Sequence, residues 1–158
     1  MPLDTLANLL YNDLKKAFPK PRSHINNSRQ FVSKIKGSKL NNDDIFIFSD
    51  VSSLFTNVTC ECVIKSLEKR ADLIRRKCNI PFDEIIRCLR FLFENTVFVF
   101  NNKFYKQMRG CPMGSPISPL FADIVMEDLE IDSLKKLDKE YKCKITNYYR
   151  FYMSMTLF

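Results

Sequence analysis

The chain has 158 residues, 46% of them hydrophobic and 27% charged, a composition typical of one globular domain that excludes a disordered or collagen-like chain. Lysine and arginine outnumber the acidic residues by 25 to 18, and the resulting net charge of +7 favours a polyanionic partner. A basic domain whose charge serves only its solubility is the alternative, and charge alone does not separate the two.

No apolar run reaches the about 20 residues that a membrane-spanning helix requires. Residues 1–17 have the features of neither a secretory nor a transit peptide. We therefore expect an intracellular chain, nuclear or cytoplasmic, without a membrane segment. The six cysteines include no Cys-x-x-Cys pair and the chain has one histidine, so we expect neither zinc nor disulfides.

The first third of the chain predicts two helices and a strand. Apolar residues at helical spacing over 3–17 predict an amphipathic helix that ends before Pro19, and we take residues 1–21 as an N-terminal helix and linker. A polar stretch follows, with a short helix over 29–35. The apolar run 45–48, bounded by aspartate and serine, is typical of a strand buried on both faces.

Helical spacing resumes over 64–74, in a stretch rich in lysine and arginine. The favoured interpretation of this basic stretch is a solvated helix face. The alternative is a contact with a nucleic-acid backbone, for which the weak candidates are Lys69, Arg70, Arg75 and Arg76.

Beyond Pro81 the chain predicts a helix, a hairpin and a second helix. Apolar residues recur at helical spacing over 85–92, and the residues around the pair Asn101-Asn102 are β-branched and aromatic, which predicts a β-hairpin. A loop rich in glycine and proline then leads to a helix that begins near 117 and runs to about residue 136. The aromatic stretch 142–158 suits a further strand or hairpin.

The segment 48–57 places Asp50 at the C-terminal end of the predicted strand, where functional groups gather in α/β layers. A carboxylate in that place is costly unless it is paired, caps a helix or binds a metal. Taken alone, the segment favours a capping or turn role for this aspartate.

The segment 107–119 is the second one with groups suited to chemistry. Gly114 permits a close approach of the backbone to a ligand, and Ser115 and Pro116 suit the cap and first turn of the following helix. The free N–H groups at such a helix N-terminus offer a platform for a phosphate or a base pair. A loop that merely precedes a capped helix is the favoured alternative when this segment is taken alone.

Together and in this order, the two segments resemble the palm motifs of reverse transcriptases. The letters SLFTNV (53–58), QxxGxxMGSPxSP (107–119) and MEDLE (126–130) are most similar to the reverse transcriptases of Penelope-like retroelements. The letters INNS (25–28) are similar to those that precede the first motif in that group. The resemblance covers about residues 22–156.

This resemblance implies an RNA-directed DNA polymerase, a nucleotidyltransferase that extends a DNA primer on an RNA template with dNTPs and uses Mg²⁺ or Mn²⁺. It implies that Asp50 is the catalytic, metal-binding aspartate and that Phe55 is the aromatic gate that excludes a ribose 2′-OH. The residues that it assigns to the template–nucleotide pocket are Gln107, Gly114, Ser115 and Pro116, with Arg109 as a weak phosphate contact.

The third motif of the family, Tyr-x-Asp-Asp-Thr, corresponds here to residues 152–156, where Ser154 and Met155 replace both aspartates. A hydroxyl and a thioether are poor ligands for Mg²⁺, so we expect an impaired enzyme. Three acidic residues after the second motif are expected to face solvent and not to replace the lost ligands. These residues are Asp123, Glu127 and Asp128.

The predicted fold is α+β: a partial reverse-transcriptase palm with part of the fingers over residues 22–158, in which an antiparallel sheet packs on helices. The sheet is predicted to include 45–50 and the strands near 97–106 and 144–153. Because no residues remain for a thumb, we expect a fragment of the family domain. The alternative function is a non-catalytic remnant that binds nucleic acid, and the sequence predicts no oligomeric state.

Overall fold

The structure is a computed structural model that describes residues 2–20, 23–39, 44–45, 47–141, 145 and 147–151. In chain order, its elements are α1 (Pro2–Leu14), β1 (His24–Ile25), α2 (Ser28–Ile35), α3 (Leu54–Asn57), α4 (Cys60–Glu68), α5 (Ala71–Lys77), α6 (Phe82–Glu94), β2 (Val97–Phe100), β3 (Lys103–Lys106), α7 (Ser118–Tyr141) and β4 (Arg150–Phe151). The mixture of helices and strands confirms the predicted class at this coarse level. None of the described helices is both long enough and apolar enough to span a bilayer.

The chain divides into two compact units. The first consists of Met1–Pro19 and Val51–Ser133, and the second of Lys20–Asp50 and Leu134–Phe158. The predicted boundary between residues 21 and 22 lies outside the described residues and stays a prediction.

The first unit has a helical core to which α1, α4, α5, α6 and the first half of α7 contribute. Its fully buried side chains include Leu10, Leu14, Val63, Leu67, Ile74, Ile85, Leu89, Ile117, Phe121 and Ile124. The helical spacing of apolar residues predicted α1, a helical stretch over 64–74 and α6. The structure confirms all three, although the second is divided between residues 68 and 71 into α4 and α5, and the spaced apolar residues are buried or partly buried. The start of α4 follows an ordinary capping rule, because the Thr59 side chain accepts a hydrogen bond from the backbone N–H of Cys62. Helix α6 begins directly after Pro81, which occupies its N-cap without a side-chain hydrogen bond.

A buried carboxylate fastens the linker between α5 and α6 to the end of α1. The Asp13 carboxylate accepts hydrogen bonds from the backbone N–H groups of Asn79 at 2.9 Å and Ile80 at 2.9 Å, and from Lys16 Nζ at 2.6 Å. Burial raises the pKa of Asp13, but the hydrogen bonds from Lys16, Ile80 and Asn79 outweigh it, so the pKa lies below its ordinary value of 3.8.

We expect Asp13 to make the chain acid-sensitive. Because its folded-state pKa is depressed, its contribution to stability is fully present above the unfolded-state pKa of 3.8 and is lost as pH falls through the folded-state value. Urea unfolding at about pH 6 and about pH 3 should show a smaller loss of stability for Asp13→Asn than for the wild type. Asp72→Asn, at an exposed position of the same unit, is the control that should titrate like the wild type; equal acid sensitivity of all three chains would contradict the prediction.

The second unit contains a short parallel pair, in which His24 faces Arg150 and Ile25 faces Phe151. Helix α2 confirms the predicted helix over 29–35, and its N-cap is Asn27, whose side chain accepts a hydrogen bond from Gln30 N at 2.9 Å. The ring of Phe31 packs against those of Tyr149 and Phe151. A strand therefore does form within the predicted range 144–153, but it is two residues long and pairs in parallel; residues 152 and 153 lie outside the described part.

The predicted strand over 45–50 is wrong for the residues described. Residues 44–45 and 47–50 form no strand, and the side chains of Ile45, Ile47 and Phe48 are 85%, 85% and 88% exposed. An apolar run favours burial, but it forms a strand only where an adjacent strand pairs with its backbone N–H and C=O groups. No described strand pairs with this run.

The hairpin predicted around Asn101-Asn102 is confirmed. Strands β2 and β3 pair antiparallel, and both asparagines have positive φ, 49° and 57°, as a tight two-residue turn requires. Every residue of both strands is exposed, however. The expected antiparallel sheet packed on helices is therefore replaced, in the described residues, by a small antiparallel hairpin with both faces open.

Candidate functional site

The loop that follows β3 is organised by the side chain of Gln107. Its Nε2 donates towards the carbonyl oxygens of Arg109 at 2.9 Å, Gly110 at 3.2 Å and Cys111 at 2.7 Å, and its Oε1 accepts from Met113 N at 3.2 Å. One side chain thus bonds four backbone groups of a glycine- and proline-rich loop. The amide that the sequence assigned to a nucleotide pocket is engaged in shaping the loop.

The same loop is joined to α3, the helix that carries Phe55. The backbone N–H of Cys111 donates to the carbonyl of Phe55 at 2.7 Å. Gly110 has a φ of +85°, and a Cβ added there would lie 2.6 Å from Phe55 O and 2.6 Å from Thr56 Cα. The structure therefore brings together, backbone against backbone, the two segments that the sequence singled out.

The Cys111 thiol is buried, and this desolvation raises its pKa to about 12, so it acts as an apolar side chain.

The close approach between the two segments is made by Gly110, whereas the predicted approach of Gly114 to a ligand stays a prediction. Gly114 also has a positive φ of 81°, but no atom lies within 4 Å of the position of a Cβ added to it. The sequence signal for Gly110 is its lack of a Cβ, which permits a close approach, but Gly114 in the same loop carries the same signal. No pattern in the sequence predicted the contact at Gly110 or the hydrogen bond from Cys111.

Phe55 lies at the border between the loop and the core. Its side chain is partly buried and packs against the buried cluster of the first unit. The preceding Ser53 adopts a left-handed conformation with a φ of 54°, which turns the chain into α3. The position of the Phe55 ring therefore depends on two backbone constraints, the turn at Ser53 and the hydrogen bond from Cys111.

Ser115 does not cap the following helix, as the sequence suggested. Helix α7 begins at Ser118, whose hydroxyl donates to the carbonyl of Pro112 at 2.6 Å. The hydroxyl of Ser115 is buried and has no hydrogen-bond partner within the described part of the chain. Pro116 is half-buried in the turn between them. The hydroxyl of Ser118 thus ties the first residue of α7 to the loop, which is a different role from the cap expected of Ser115.

Asp50 is exposed and belongs to the second unit, whereas Phe55 and the loop belong to the first. The catalytic role that the resemblance implies for Asp50 requires its carboxylate to lie near the loop, and that placement stays a prediction. Residues 152–156, with Ser154 and Met155, lie outside the described residues. Among the residues that the structure does describe, no group of three or more His, Cys, Asp and Glu side chains is placed to hold a metal ion. Those residues do not assemble a magnesium site, so we derive no step through one.

Arg70 is largely buried in a cluster of acidic residues on α7. Its guanidinium lies 2.6 Å from Asp128 Oδ1 and 3.3 Å from Glu127 Oε2, and it covers the ring of Phe18. Lys69 Nζ contacts the same Asp128 at 3.3 Å. A phosphate would have to displace these carboxylates to reach Arg70, whose side chain is only 18% exposed.

The expectation that Asp128 faces solvent is wrong, because Arg70 compensates its charge in a buried position. Burial raises the pKa of Asp128, and hydrogen bonds from Ser66 and Arg70 outweigh that effect and lower it. Glu127 and Asp123 are half-exposed. Acidic residues on this helix therefore anchor the corner between α4 and α5.

The remaining basic candidates are on the surface. Arg75 and Arg76 are exposed on α5, where Arg75 covers the ring of Phe82 and Arg76 Nε donates to the carbonyl of Asp72. Arg109 is exposed in the loop. These three guanidinium groups are open to solvent, and their contact with a nucleic-acid backbone stays a prediction.

Comparison with known proteins agrees with the motif analysis. The family model described as "Reverse transcriptase (RNA-dependent DNA polymerase)" matches residues 4–153, which is nearly the whole chain and includes both segments that meet at the loop. No curated protein and no solved structure matches the chain.

Proposed function

The chain belongs to the reverse transcriptase family, and from this premise we propose that it is the RNA-directed DNA polymerase domain of a Penelope-like retroelement. The match over residues 4–153 carries the polymerase part of the proposal, and the Penelope-like part rests on the similarity of the motif letters at 53–58 and 107–119. The junction between Cys111 and Phe55 supports it, because a polymerase pocket requires the first and second motifs to lie side by side. The proposed architecture is a palm with part of the fingers.

The proposed reaction is attack of a primer 3′-OH on the α-phosphate of a dNTP paired with an RNA template. Phe55 is proposed to border the sugar and to exclude a 2′-OH, and the loop at Gly114–Pro116 to contact the templating base pair. Gln107 is proposed to act through the loop that it holds, since its amide is already bonded to loop backbone. Asp50 is the proposed ligand for Mg²⁺ or Mn²⁺, which the family uses to stabilise charge on the transferred phosphate.

Replacement of the third-motif aspartates by Ser154 and Met155 leads us to propose that catalysis is impaired. In a primer-extension assay with Mg²⁺ or Mn²⁺, the unmodified chain should incorporate no dNTP above background, because too few hard oxygen ligands remain to hold the metals. The double variant Ser154→Asp with Met155→Asp should give at most faint activity. Robust extension by the unmodified chain, abolished by Asp50→Ala, would contradict the prediction.

A non-catalytic role in binding nucleic acid is the second candidate, favoured by the net charge of +7. The two functions separate in one pair of measurements. A polymerase must extend a labelled primer, whereas a binding protein need only retard the template–primer duplex, with an affinity that falls steeply with salt.

A further inference from the structure

The β2–β3 hairpin presents an aromatic face that the proposed pocket does not use. Directly paired residues share a face, and faces alternate along each strand. The pairs Phe98–Tyr105 and Phe100–Lys103 therefore place three aromatic rings and one lysine on the same face. The opposite face carries the pairs Val97–Lys106 and Val99–Phe104, with a single ring.

The three rings form a continuous exposed surface. Phe98 and Tyr105 stack with centroids 5.6 Å apart and planes at 20°, and Phe100 lies 6.4 Å from Tyr105. Their residues are 50%, 42% and 68% exposed, in the order Phe98, Tyr105, Phe100. A contiguous patch of exposed aromatic rings is typical of a binding surface.

Charge around this surface selects the kind of partner. Residues 95–122 contain three basic side chains, Lys103, Lys106 and Arg109, and no acidic one. All three are exposed; Lys103 lies on the aromatic face, directly opposite Phe100, whereas Lys106 lies on the other face of the hairpin. An apolar protein partner would gain nothing from these cations, whereas a polyanion that also carries flat apolar rings fits both features.

We propose that the face formed by Phe98, Phe100 and Tyr105 is a stacking platform for single-stranded nucleic acid, with Lys103 on the phosphate beside the base that covers Phe100. The inference rests on the proposed function for its ligand class and adds a site outside the pocket loop. Stacking accepts every base because each has a π-face, so the platform is sequence-tolerant. A paired base is already stacked within its duplex, so the platform discriminates against double strands.

The test measures anisotropy of labelled single-stranded oligonucleotides and of a blunt duplex with the full chain. Phe100→Ala should weaken single-strand binding by about tenfold, the usual effect of removing one stacking ring. Duplex binding should be unchanged. Phe104→Ala is the matched control, because it removes an even more exposed phenylalanine, 80% exposed, from the opposite face. Phe100→Tyr should bind like the wild type, since it keeps the ring.

Salt dependence gives a second, independent measurement. Lys103→Ala should reduce the slope of log affinity against log salt by about 1, whereas Phe100→Ala should lower affinity without changing the slope. Equal affinities for Phe100→Ala and wild type, or equal losses for Phe100→Ala and Phe104→Ala, would overturn the platform while leaving the proposed function intact. If the wild type sediments as a dimer and Phe100→Ala as a monomer, the aromatic face binds a second copy of the chain, and the platform is overturned. If the wild type bound neither the single-stranded oligonucleotide nor the duplex, both the platform and the proposed function would be overturned.

Discussion

Replacing Asp128 by alanine is expected to lower the free energy of unfolding by about 3 kcal/mol, as removal of one partner of a buried ion pair does elsewhere. The side chains of Asp128 and Arg70 are only 11% and 18% exposed, and their closest atoms are 2.6 Å apart. Without the carboxylate, the Arg70 guanidinium keeps Glu127 at 3.3 Å but loses its shortest contact inside the protein. Urea unfolding at neutral pH measures the difference.

Asp132→Ala is the matched control for this prediction. Asp132 lies one turn further along α7 and contacts Lys69 at 3.5 Å, but its side chain is 59% exposed. Water screens such a pair, so its loss should cost less than about 1 kcal/mol. In a double-mutant cycle with Arg70→Met, the Asp128→Ala effect should shrink strongly, because the cation it compensates is gone. Equal effects of the two alanine variants would show that burial does not strengthen the Asp128 pair.

The elements that sequence predicted well are those whose signal is local. Helix α6 has its apolar residues on one face and a proline at its start, and the hairpin has an asparagine pair between β-branched and aromatic residues. In both elements, the backbone N–H and C=O groups find their hydrogen-bond partners within a few residues along the chain. No information from elsewhere in the chain was needed.

The failures are those that depend on a distant partner. The run 45–48 carries a strand's composition, yet nothing in that run specifies the neighbour that must pair with it. Asp128 was expected in solvent because acidic residues are rarely buried alone. The residue that makes its burial favourable, Arg70, lies on a different helix, and no spacing rule connects the two.

In the candidate site, too, the local features could be predicted from the sequence and the contacts with distant residues could not. The glycine- and proline-rich segment 107–119 was recognisable as a shaped loop from composition. The backbone atoms that the loop approaches could not be predicted, because a glycine permits close contact but does not specify the contacting partner. Only the structure shows that Gly110 rests on Phe55 and Thr56 and that Gln107 supplies the bonds that hold the loop there.

Gly110→Ala is expected to lower the free energy of unfolding by about 3 kcal/mol, from two causes that add. At a φ of +85°, any L-residue with a Cβ is strained. The new methyl group would also lie 2.6 Å from the carbonyl oxygen of Phe55 and 2.6 Å from Thr56 Cα, and backbone atoms cannot move aside as a flexible side chain does. Relief requires α3 and the loop to separate, which breaks the 2.7 Å hydrogen bond from Cys111.

Gly114→Ala separates the two causes, because Gly114 shares the positive φ, +81°, but has no atom within 4 Å of an added Cβ. We expect it to cost only the conformational strain, about 1 kcal/mol. The difference between the two variants in urea unfolding therefore measures the contact between the loop and α3. If both variants lose the same stability, the loop does not rest on Phe55 as the structure indicates. Because the atoms contacted are the backbone of Phe55 and Thr56, a larger loss at Gly110 would show that the loop is held against the segment that carries the proposed sugar gate.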